Sequence, residues 1–449
     1  MEKFLFSKIE TWVVLLLTIL GLVGCLVFGA VVLDRERGKE RTGKVGDAAV
    51  AVAALPDTLL RWTREKDGRL ANRTEQFDGR SGWTVTADIQ TNPIDGYLLL
   101  SRTAIEEDRS LVELVDLSDF SVRHVWRPDA DGFLSDLPQV SEITDFARWN
   151  TRMFEPVHPL LMENGDLIVK DHQTPAVRID ACSNVLWRNA DRHYHHSTEV
   201  DANGNLWIPS VIDPPSPENG PTFFEDGLAL LSPDGKLLSE VSLPKVMEDN
   251  GLGAMIFTAG GYLDDGLHLN DIQPALTDSL YWQKGDLFLS LRHKSLILQY
   301  RPSTGKIVWM KQGPWLAQHD VDILDDHRIA VFNNNAFSRG KGWWVDGSNE
   351  VTVYDFATDT VTNPYHDTLL AEKATSLTEG LFDMASSGHV VIEEENRGRI
   401  LILDQAGKLV ADFVNRAPDG QVYGLGWSRW ISRAEGDRAL KAANAQVCG

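Results

Sequence analysis

The feature of this sequence that most constrains its fold is a unit of two apolar runs separated by tight turns, which recurs along the chain. Six copies are found, with turns at Asp95-Gly96, Asn164-Gly165, Asn203-Gly204, Lys284-Gly285, Asp326-His327 and Ser387-Gly388. Each turn precedes a strand-like apolar run. Repeats of four short strands at roughly 40 residues or more are typical of propeller blades. A linear β solenoid is the alternative, but its repeats are shorter and lack hairpin turns. The sequence therefore predicts an all-β, six-bladed β-propeller.

The N-terminal region carries an apolar run of membrane-spanning length. Trp12 to Leu33 is a stretch of 22 residues without a charge. At about 1.5 Å per residue it matches a bilayer core of about 30 Å, so we expect a single transmembrane helix at residues 12–33. A cleaved lipoprotein signal is the alternative, because Leu22-Val23-Gly24-Cys25 has the small-residue spacing of a lipobox. The apolar residues that continue beyond Cys25 favour the uncleaved anchor.

Composition divides the chain into four predicted segments. These are a membrane anchor at residues 1–34, a juxtamembrane stalk at 35–80, the propeller at 81–433 and a C-terminal tail at 434–449. The stalk has helical composition interrupted at Pro56.

Charge and cysteine content exclude some classes of function. The formal charge of −22 argues against a nucleic-acid-binding surface, because such a surface needs a basic stripe to neutralise phosphates. Three cysteines are too few for a disulfide framework and do not fix the redox compartment.

Histidines recur at one position of the repeat. His196 and His319 are equivalent in two copies, and His158 lies within one residue of that position in a third. The innermost strand of each blade starts at the central channel, so these side chains are expected to converge, with His268 and Arg292 beside them. Imidazole can act as nucleophile or base near pH 7, and arginine offers a fixed charged fork to an oxyanion.

Each of these residues also has a purely structural interpretation. A lone histidine on a strand usually caps a turn or satisfies a hydrogen bond in the core, and Arg292 could pair with Asp286. The shared repeat position favours a functional centre.

These residues and their surroundings resemble bacterial arylsulfate sulfotransferases, the nucleotide-independent kind, over most of residues 155–413. The most specific segments are His195-His196-Ser197-Thr198-Glu199-Val200 with Asn203-Gly204-Asn205, His268-Leu269-Asn270-Asp271-Ile272, Gly285 to Arg292, Pro302 to Trp309, and Gln318-His319-Asp320. The resemblance implies a six-bladed propeller, in agreement with the repeat count.

The resemblance also implies ping-pong transfer of a sulfuryl group from an aryl sulfate to a phenol, without cofactor or metal. His319 would attack sulfur and carry a transient sulfohistidine, while His196, His268 and Arg292 would hold the sulfuryl oxygens. A loose transition state of this kind is stabilised mainly by positioning and charge. His195 is an additional candidate if the register is off by one, although strand alternation would point it away from the channel.

The chain departs from that family in several respects. Its members are commonly exported with a cleaved signal and often carry a separate N-terminal β domain, which an anchor and a stalk replace here. Asp271 stands where a small hydroxyl residue is common.

The side of the membrane on which the propeller lies is indicated by two conflicting signals. Five basic residues follow the helix and two precede it, so the positive-inside rule alone leaves the propeller in the cytoplasm. Long domains translocate largely regardless of flanking charge, and the exported habit of the family favours a periplasmic propeller.

Several other functions compete with this one. A catalytically silent, membrane-anchored propeller could bind a protein partner in a membrane complex, through insertions near 128–156, 213–226, 246–280 and 336–349 or through Trp343-Trp344 and Trp427 to Trp430. A quinone-binding dehydrogenase propeller needs many copies of the Thr304-Gly305-Lys306 motif, and one is present. A metal site at His193-Tyr194-His195-His196 lacks partner spacing. A phosphoadenosine-phosphosulfate enzyme needs a phosphate-cradling glycine loop that opens a helix, which this chain lacks.

Overall fold

The computed structural model describes residues 10–36, 40–64, 77–86, 93–257, 263–340 and 342–448. Parts of the predicted stalk (37–39 and 65–76) and of two predicted insertions (258–262 and 341) lie outside the described residues. The chain divides into two compact units, residues 1–68 and 69–449.

The first unit is helical. Helix α1 covers Thr11–Glu36 and helix α2 covers Gly43–Arg64, which contains Pro56. Helix α1 is long and apolar enough to cross a membrane, and none of its apolar window is buried within the protein. A helix that is apolar on every side cannot be covered by one packing partner in water, so its composition fits a lipid environment.

The second unit is mostly β. Its strands, in chain order, are β1 (Gly82–Val85), β2 (Tyr97–Ala104), β3 (Arg109–Asp116), β4 (Ser121–Trp126), β5 (Leu160–Leu161), β6 (Leu167–Val169), β7 (Thr174–Ile179), β8 (Val185–Tyr194), β9 (Glu199–Val200), β10 (Leu206–Ile212), β11 (Glu225–Leu231), β12 (Leu237–Ser242), β13 (Leu269–Pro274) and β14 (Leu287–Leu291). They continue as β15 (Leu296–Arg301), β16 (Lys306–Gln312), β17 (His319–Ile323), β18 (Arg328–Asn333), β19 (Ala336–Ser338), β20 (Trp343–Val345), β21 (Glu350–Asp355), β22 (Thr360–Thr362), β23 (Leu381–Met384), β24 (Val390–Glu394), β25 (Arg399–Leu403), β26 (Leu409–Val414) and β27 (Arg429–Ile431).

Short helices connect these strands. They are α3 (Ala130–Leu134), α4 (Leu243–Asp249), α5 (Gly253–Ile256) and α6 (His366–Ala371), and the longer α7 (Arg433–Asn444) follows the last strand.

The sheets have the strand order of propeller blades. Four separate antiparallel sheets run β27-β2-β3-β4, β13-β14-β15-β16, β17-β18-β21-β22 and β1-β26-β25-β24-β23. The strands from β5 to β12 form one sheet of eight, because β8 pairs with β10 through Ser210–Tyr194 and Val211–His193. The fold is thus the predicted propeller-like β arrangement, but four blades stand as separate sheets rather than six.

The apolar core lies between neighbouring groups of strands. One cluster joins Leu98 of β2 to Ile400 of β25, and another joins Phe288 of β14 to Val331 of β18. Middle strands such as β14 are buried along their whole length, whereas the outer strand β16 alternates between exposed and half-buried residues. This contrast follows from packing, since a middle strand is covered on both faces and an outer strand lies at the sheet edge.

The inner strands are joined into a closed ring by hydrogen bonds. Backbone N–H groups donate to the preceding inner strand or its entry loop: His158 to Gly426 O, Thr198 to His158 Nδ1, Ile272 to Ser197 Oγ, Val321 to Asp271 Oδ2, Phe382 to Asp320 Oδ2 and Trp430 to Asp383 Oδ2. The ring surrounds the axis and fixes where each inner strand begins.

The C-terminal segment is tied back onto the propeller. Helix α7 passes over the Gly165 turn, where a Cβ atom would lie 2.9 Å from Ala439 O. Beyond the helix, Cys448 forms a disulfide with Cys182 in the turn between β7 and β8. Two of the three cysteines therefore do form a structural bridge, which their number alone did not indicate.

Candidate active site

The inner strands are entered through a repeated backbone kink. One non-glycine residue at each entry has a positive φ angle: His158 (49°), His196 (50°), His268 (58°), Asp320 (52°), Glu379 (57°) and Trp427 (56°). Left-handed backbone at a non-glycine residue costs of order 1 kcal/mol or more, so the ring of hydrogen bonds must hold these kinks in place. The kinks bring residues from several blades to one end of the axis.

His319 lies at the start of β17 and is fully buried. Its Nδ1 atom lies 2.6 Å from Asn334 Oδ1. The Asn334 amide donates to Glu379 O at 2.7 Å and to Ser376 O at 3.3 Å, so its oxygen must face the imidazole. His319 Nδ1 therefore carries the hydrogen and Nε2 carries the lone pair.

Burial, and next the charge of Arg292, lowers the pKa of His319 well below 6.5. The imidazole is therefore neutral at pH 7. The Glu379 N–H donates to its Nε2 at 3.3 Å. A neutral imidazole with an oriented lone pair at a cavity wall is a competent nucleophile.

His196 lies at the centre of a group of imidazoles. Its ring centroid is 6.1 Å from that of His319, 5.0 Å from that of His268 and 4.5 Å from that of His172. Burial, and next the neighbouring His172, lowers the pKa of His196 well below 6.5. The structure thus brings together His196, His268 and His319, the three histidines to which the family resemblance assigns a role in sulfuryl transfer.

His195 also reaches this cavity, contrary to the expectation from strand alternation. Its Nδ1 lies 2.8 Å from Nδ1 of His196. Strand β8 ends at Tyr194, and the positive φ of His196 breaks the extended geometry on which alternation depends. The two neighbours therefore point to the same side.

Arg292 stands at the start of a 3-10 turn after β14, and its backbone N–H donates to the backbone carbonyl oxygen of His268 at 3.0 Å. Its side chain does not pair with Asp286, whose carboxylate takes two hydrogen bonds of 2.7 Å from Arg301. The Arg292 guanidinium lies over the Trp343 ring at 5.1 Å, and its buried Nε lacks a partner among the described residues. A buried arginine with a spare donor is suited to an anion.

His268 is paired with a carboxylate. Its Nδ1 lies 2.5 Å from Asp265 Oδ2. Burial acts to raise the pKa of Asp265, but the hydrogen bond from His268 and the charges of His268, His293 and His195 together outweigh it and lower that pKa below 3.8. The pair orients the His268 ring, so that Nε2 is left to face the cavity.

These residues line one cavity of about 300 Å³. Its walls are His172, Gln173, His195, His196, Phe224, Asp226, Asp265, His268, Leu269, Arg292, His319, Thr378 and Glu379. The volume is at the lower end of the range for small-molecule sites.

Several functional candidates on these walls or behind them were missed by the sequence analysis, notably His172, Glu379, Asp265 and Asn334. Glu379 could have been found, because it enters β23 as His196 and His268 enter their own inner strands. The others lie in connecting loops whose position the repeat does not specify.

Two other predicted features have structural roles. His158 is buried below the cavity, where its Nδ1 accepts from Thr198 N. Trp427 is fully buried and packs edge-on against His319 at 5.9 Å, so it is not a docking residue.

Nitrogen donors of His196, His268 and His319 lie within 4.8 Å of one another, close enough in principle for a cation. Arg292 shares their cavity, and its fixed positive charge favours an anion there. His193, from the run considered as a metal motif, instead bonds Thr144 Oγ1 through Nδ1 at 2.7 Å.

A second set of ionisable groups lies further along the axis. Burial raises the pKa of Asp271 and of Asp383 to about 7 and that of Asp322 well above 3.8. Arg429 donates to Glu199 Oε1 at 3.1 Å in the same region. These carboxyl groups are close enough to raise one another's pKa, a second cause after burial for Asp271 and Asp322.

The fold and the cavity define a β-propeller-like protein with a histidine-rich centre that Arg292 also lines. Residues 158–416 match the family model of Arylsulfotransferase (ASST), which is more than half of the chain. The chain belongs to the arylsulfotransferase family. Among curated proteins, nothing matches it.

Solved structures show distant likeness. A protein of unknown function from Bacteroides caccae aligns with a TM-score of 0.45 at 10% identity, covering 75% of this chain and 99% of that one. Virginiamycin B lyase from Staphylococcus aureus aligns at 0.34 and 12% identity, covering 58% and 70%. The WD40 domain of Neurospora crassa Pan2 aligns at 0.38 and 11% identity, covering 78% and 97%. At these scores the likeness carries no functional argument.

Proposed function

We propose that this protein transfers a sulfuryl group from an aryl sulfate to a phenol through a sulfohistidine on His319. The contact between Asn334 Oδ1 and His319 Nδ1 carries this proposal, because it leaves Nε2 unprotonated at the wall of the cavity. Arg292 lines the same cavity and supplies positive charge. Membership of the arylsulfotransferase family supports the substrate class.

The first half-reaction makes a bond from His319 Nε2 to sulfur and breaks the bond from sulfur to the aryl oxygen, whose electron pair stays on that oxygen. Arg292, His196 and His268 hold the three sulfuryl oxygens as charge develops on them. In the second half-reaction an acceptor phenol oxygen attacks sulfur and His319 leaves with the N–S electron pair. Dividing the transfer in this way replaces one hard displacement by two easier ones.

We also propose that the propeller has six blades. The eight-stranded sheet consists of two groups of four strands, β5 to β8 and β9 to β12, that are bridged by the β8–β10 pairing. Counting these as two blades gives six. The closed ring of inner-strand hydrogen bonds supports this count, since its links join β27, β5, β9, β13, β17 and β23 in sequence around the axis.

The location is proposed as well: residues 12–33 anchor the chain in a membrane and the propeller lies on the periplasmic side. The disulfide between Cys182 and Cys448 favours an oxidising compartment over the cytoplasm. It argues in the same direction as the exported habit of the family and against the charge bias around the helix.

The direct test is incubation of the purified protein with 4-nitrophenyl sulfate and phenol. We expect release of nitrophenolate, and a sulfuryl adduct on the peptide that contains His319, detected by mass spectrometry. His319→Ala abolishes both. His327→Ala is the matched control, because this histidine belongs to the same repeat as His319 but lies on the turn after β17 rather than at the cavity.

If the wild-type protein shows neither turnover nor adduct with a range of aryl sulfates, the sulfotransferase proposal is wrong. The non-catalytic partner-binding function would then be the remaining candidate. A pull-down from membranes with His319→Ala as bait would address it.

A further inference from the structure

Two wall residues that pair with each other, His172 and Glu379, have no role in the mechanism above. His172 Nε2 lies 2.9 Å from Glu379 Oε1, and both side chains are largely buried. The His172 ring is 4.5 Å from that of His196, and the Glu379 backbone N–H contacts His319 Nε2. The pair is thus adjacent to the point where sulfur must sit.

Transfer between phenols requires that a proton be moved twice. A phenolic hydroxyl has a pKa of about 10, so the departing aryl oxygen gains a proton at neutral pH and the acceptor must lose one. The residues that hold the sulfuryl oxygens are donors to those oxygens, and His319 uses its lone pair on sulfur. Neither role supplies the proton of the phenol.

The surroundings of Glu379 keep a negative charge beside His172. Burial acts to raise the pKa of Glu379, but hydrogen bonds from Glu395 and His172, together with the charges of His172 and Arg148, outweigh it and lower that pKa well below 4.5. The pKa of Glu395 is raised well above 4.5 by burial and by the neighbouring Glu379. Glu395 therefore holds a proton and Glu379 remains ionised. Asn396 Nδ2 lies 3.3 Å from the other Glu379 oxygen.

We propose that His172, oriented by Glu379, is the general acid and base that exchanges the phenol proton. Glu379 engages Nε2, which leaves Nδ1 for the substrate. In the first half-reaction the imidazolium gives its proton to the aryl oxygen as the S–O bond breaks, and neutral His172 remains. In the second it removes the proton of the acceptor as the new S–O bond forms. Each cycle returns the proton to His172, so no further reactant is needed.

Two further histidine–carboxylate pairs line the cavity: His195 Nε2 lies 3.5 Å from Asp226 Oδ1, and His268 Nδ1 lies 2.5 Å from Asp265 Oδ2. Burial raises the pKa of Asp226 well above 3.8, which disfavours the charge that would orient His195, so the pair of His268 and Asp265 is the competing candidate. Asp265 is shared between His268 and His293, whose Nδ1 lies 3.7 Å from Asp265 Oδ1. His268 is also needed as a donor to sulfuryl oxygen, which requires it to keep its proton throughout. His172 has no such second duty.

This inference rests on the proposed sulfuryl transfer, and the test separates the two. Rates are measured with aryl sulfates whose phenols span pKa values from about 7 to about 10, for wild type, His172→Gln, Glu379→Gln and the control His327→Gln. General acid catalysis contributes about 10²- to 10⁴-fold, and poor leaving groups depend on it most. We expect the ratio of the nitrophenyl sulfate rate to the phenyl sulfate rate to rise about 100-fold in His172→Gln. Glu379→Gln, which acts through His172, should show a smaller rise.

His327→Gln, at the turn after β17, should leave this ratio as in the wild type. If His172→Gln lowered the rate equally with every aryl sulfate, the inference would be overturned. It would also be overturned if only His268→Gln lowered the rate selectively with the aryl sulfates of weakly acidic phenols. Sulfohistidine formation with nitrophenyl sulfate is measured in the same variants. If wild type forms no adduct, it is the proposed function that fails; if the adduct forms and the leaving-group slope is unchanged, only the role of His172 fails.

Discussion

Asn334 holds His319 in one tautomer: its side-chain oxygen lies 2.6 Å from His319 Nδ1, and its amide is committed to the backbone of Glu379 and Ser376. His319 begins β17 and Asn334 follows the end of β18, so both residues lie at the open end of the antiparallel hairpin, and the pairing of the two strands sets their distance. His319, the proposed nucleophile, is therefore oriented by the fold rather than by a substrate.

Replacing Asn334 should affect activity more than stability. We expect Asn334→Ala to lower kcat about 10- to 100-fold, the loss typical when a partner that orients a functional histidine is removed. Asn335→Ala is the control, since its amide contacts the backbone of the neighbouring loop. Steady-state kinetics and a thermal melt of each variant test this. Equal losses in both variants would show that the loop as a whole, and not the contact to His319, matters.

The planar set of guanidinium donors of Arg292, and not only its positive charge, should contribute to kcat/KM. Arg292→Lys keeps a positive charge but removes the planar set of donors, and loss of one oxyanion donor costs about 10²- to 10³-fold. We expect kcat/KM for nitrophenyl sulfate to fall about 100-fold. Lys294→Ala, in the same 3-10 turn, should be nearly silent. A full rescue by lysine would show that charge alone suffices.

On the acid side, the pH profile of kcat/KM should fall with an apparent pKa below 6.5, the usual pKa of histidine. Burial and Arg292 lower the pKa of His319 from 6.5, so the imidazole stays neutral as the pH falls through 6.5 and loses its lone pair only at the lowered value. We expect kcat/KM for adduct formation to be retained at pH 6 and to fall in more acidic buffer. In Arg292→Gln this apparent pKa should be higher. A wild-type apparent pKa at or above 6.5 would contradict the burial of His319.

How much of this centre could be predicted from the sequence depended on the repeat. The repeat located His196 and His319, because equivalent positions of successive blades meet at the axis. It could not show that His195 shares the cavity, since that depends on the positive φ of His196. Asn334 was invisible for a different reason: its role rests on one rotamer and one hydrogen bond across a hairpin. The fused eight-stranded sheet likewise depends on two residue pairs between β8 and β10.

The disulfide should stabilise the propeller. It links residues separated by 266 positions, and closing a long loop in the unfolded chain is worth about 2–4 kcal/mol. We expect Cys182→Ser and Cys448→Ser to lower the free energy of unfolding to the same extent, and the double variant to add nothing further. Cys25→Ser is the control, because Cys25 is exposed in helix α1. Denaturation of the wild type with and without reductant completes the test; identical curves would mean that the bridge does not form.

The buried carboxyl groups along the axis give the last prediction. Burial, and next the charge of Glu199, raises the pKa of Asp271 to about 7, against 3.8 in the unfolded chain. The folded state therefore binds more protons between these values, so the stability contribution of this group is fully present below pH 3.8 and is lost as the pH rises through about 7.

An asparagine at position 271 cannot ionise, and its side-chain oxygen can still accept from Val321 N as Asp271 does. Asp271→Asn should thus be more stable than wild type at pH 8, by on the order of 2 kcal/mol, with the difference vanishing near pH 4. Asp286→Asn is the contrasting variant. Burial acts to raise the Asp286 pKa, but the hydrogen bonds from Arg301, Gln283 and Gln299, together with the charge of Arg301, outweigh it and lower that pKa. Replacing the Asp286 carboxylate by asparagine should therefore lower the free energy of unfolding most at neutral pH. Thermal melts of both variants across this pH range test the signs, and a wild-type advantage over Asp271→Asn at pH 8 would show that Asp271 is ionised at little cost.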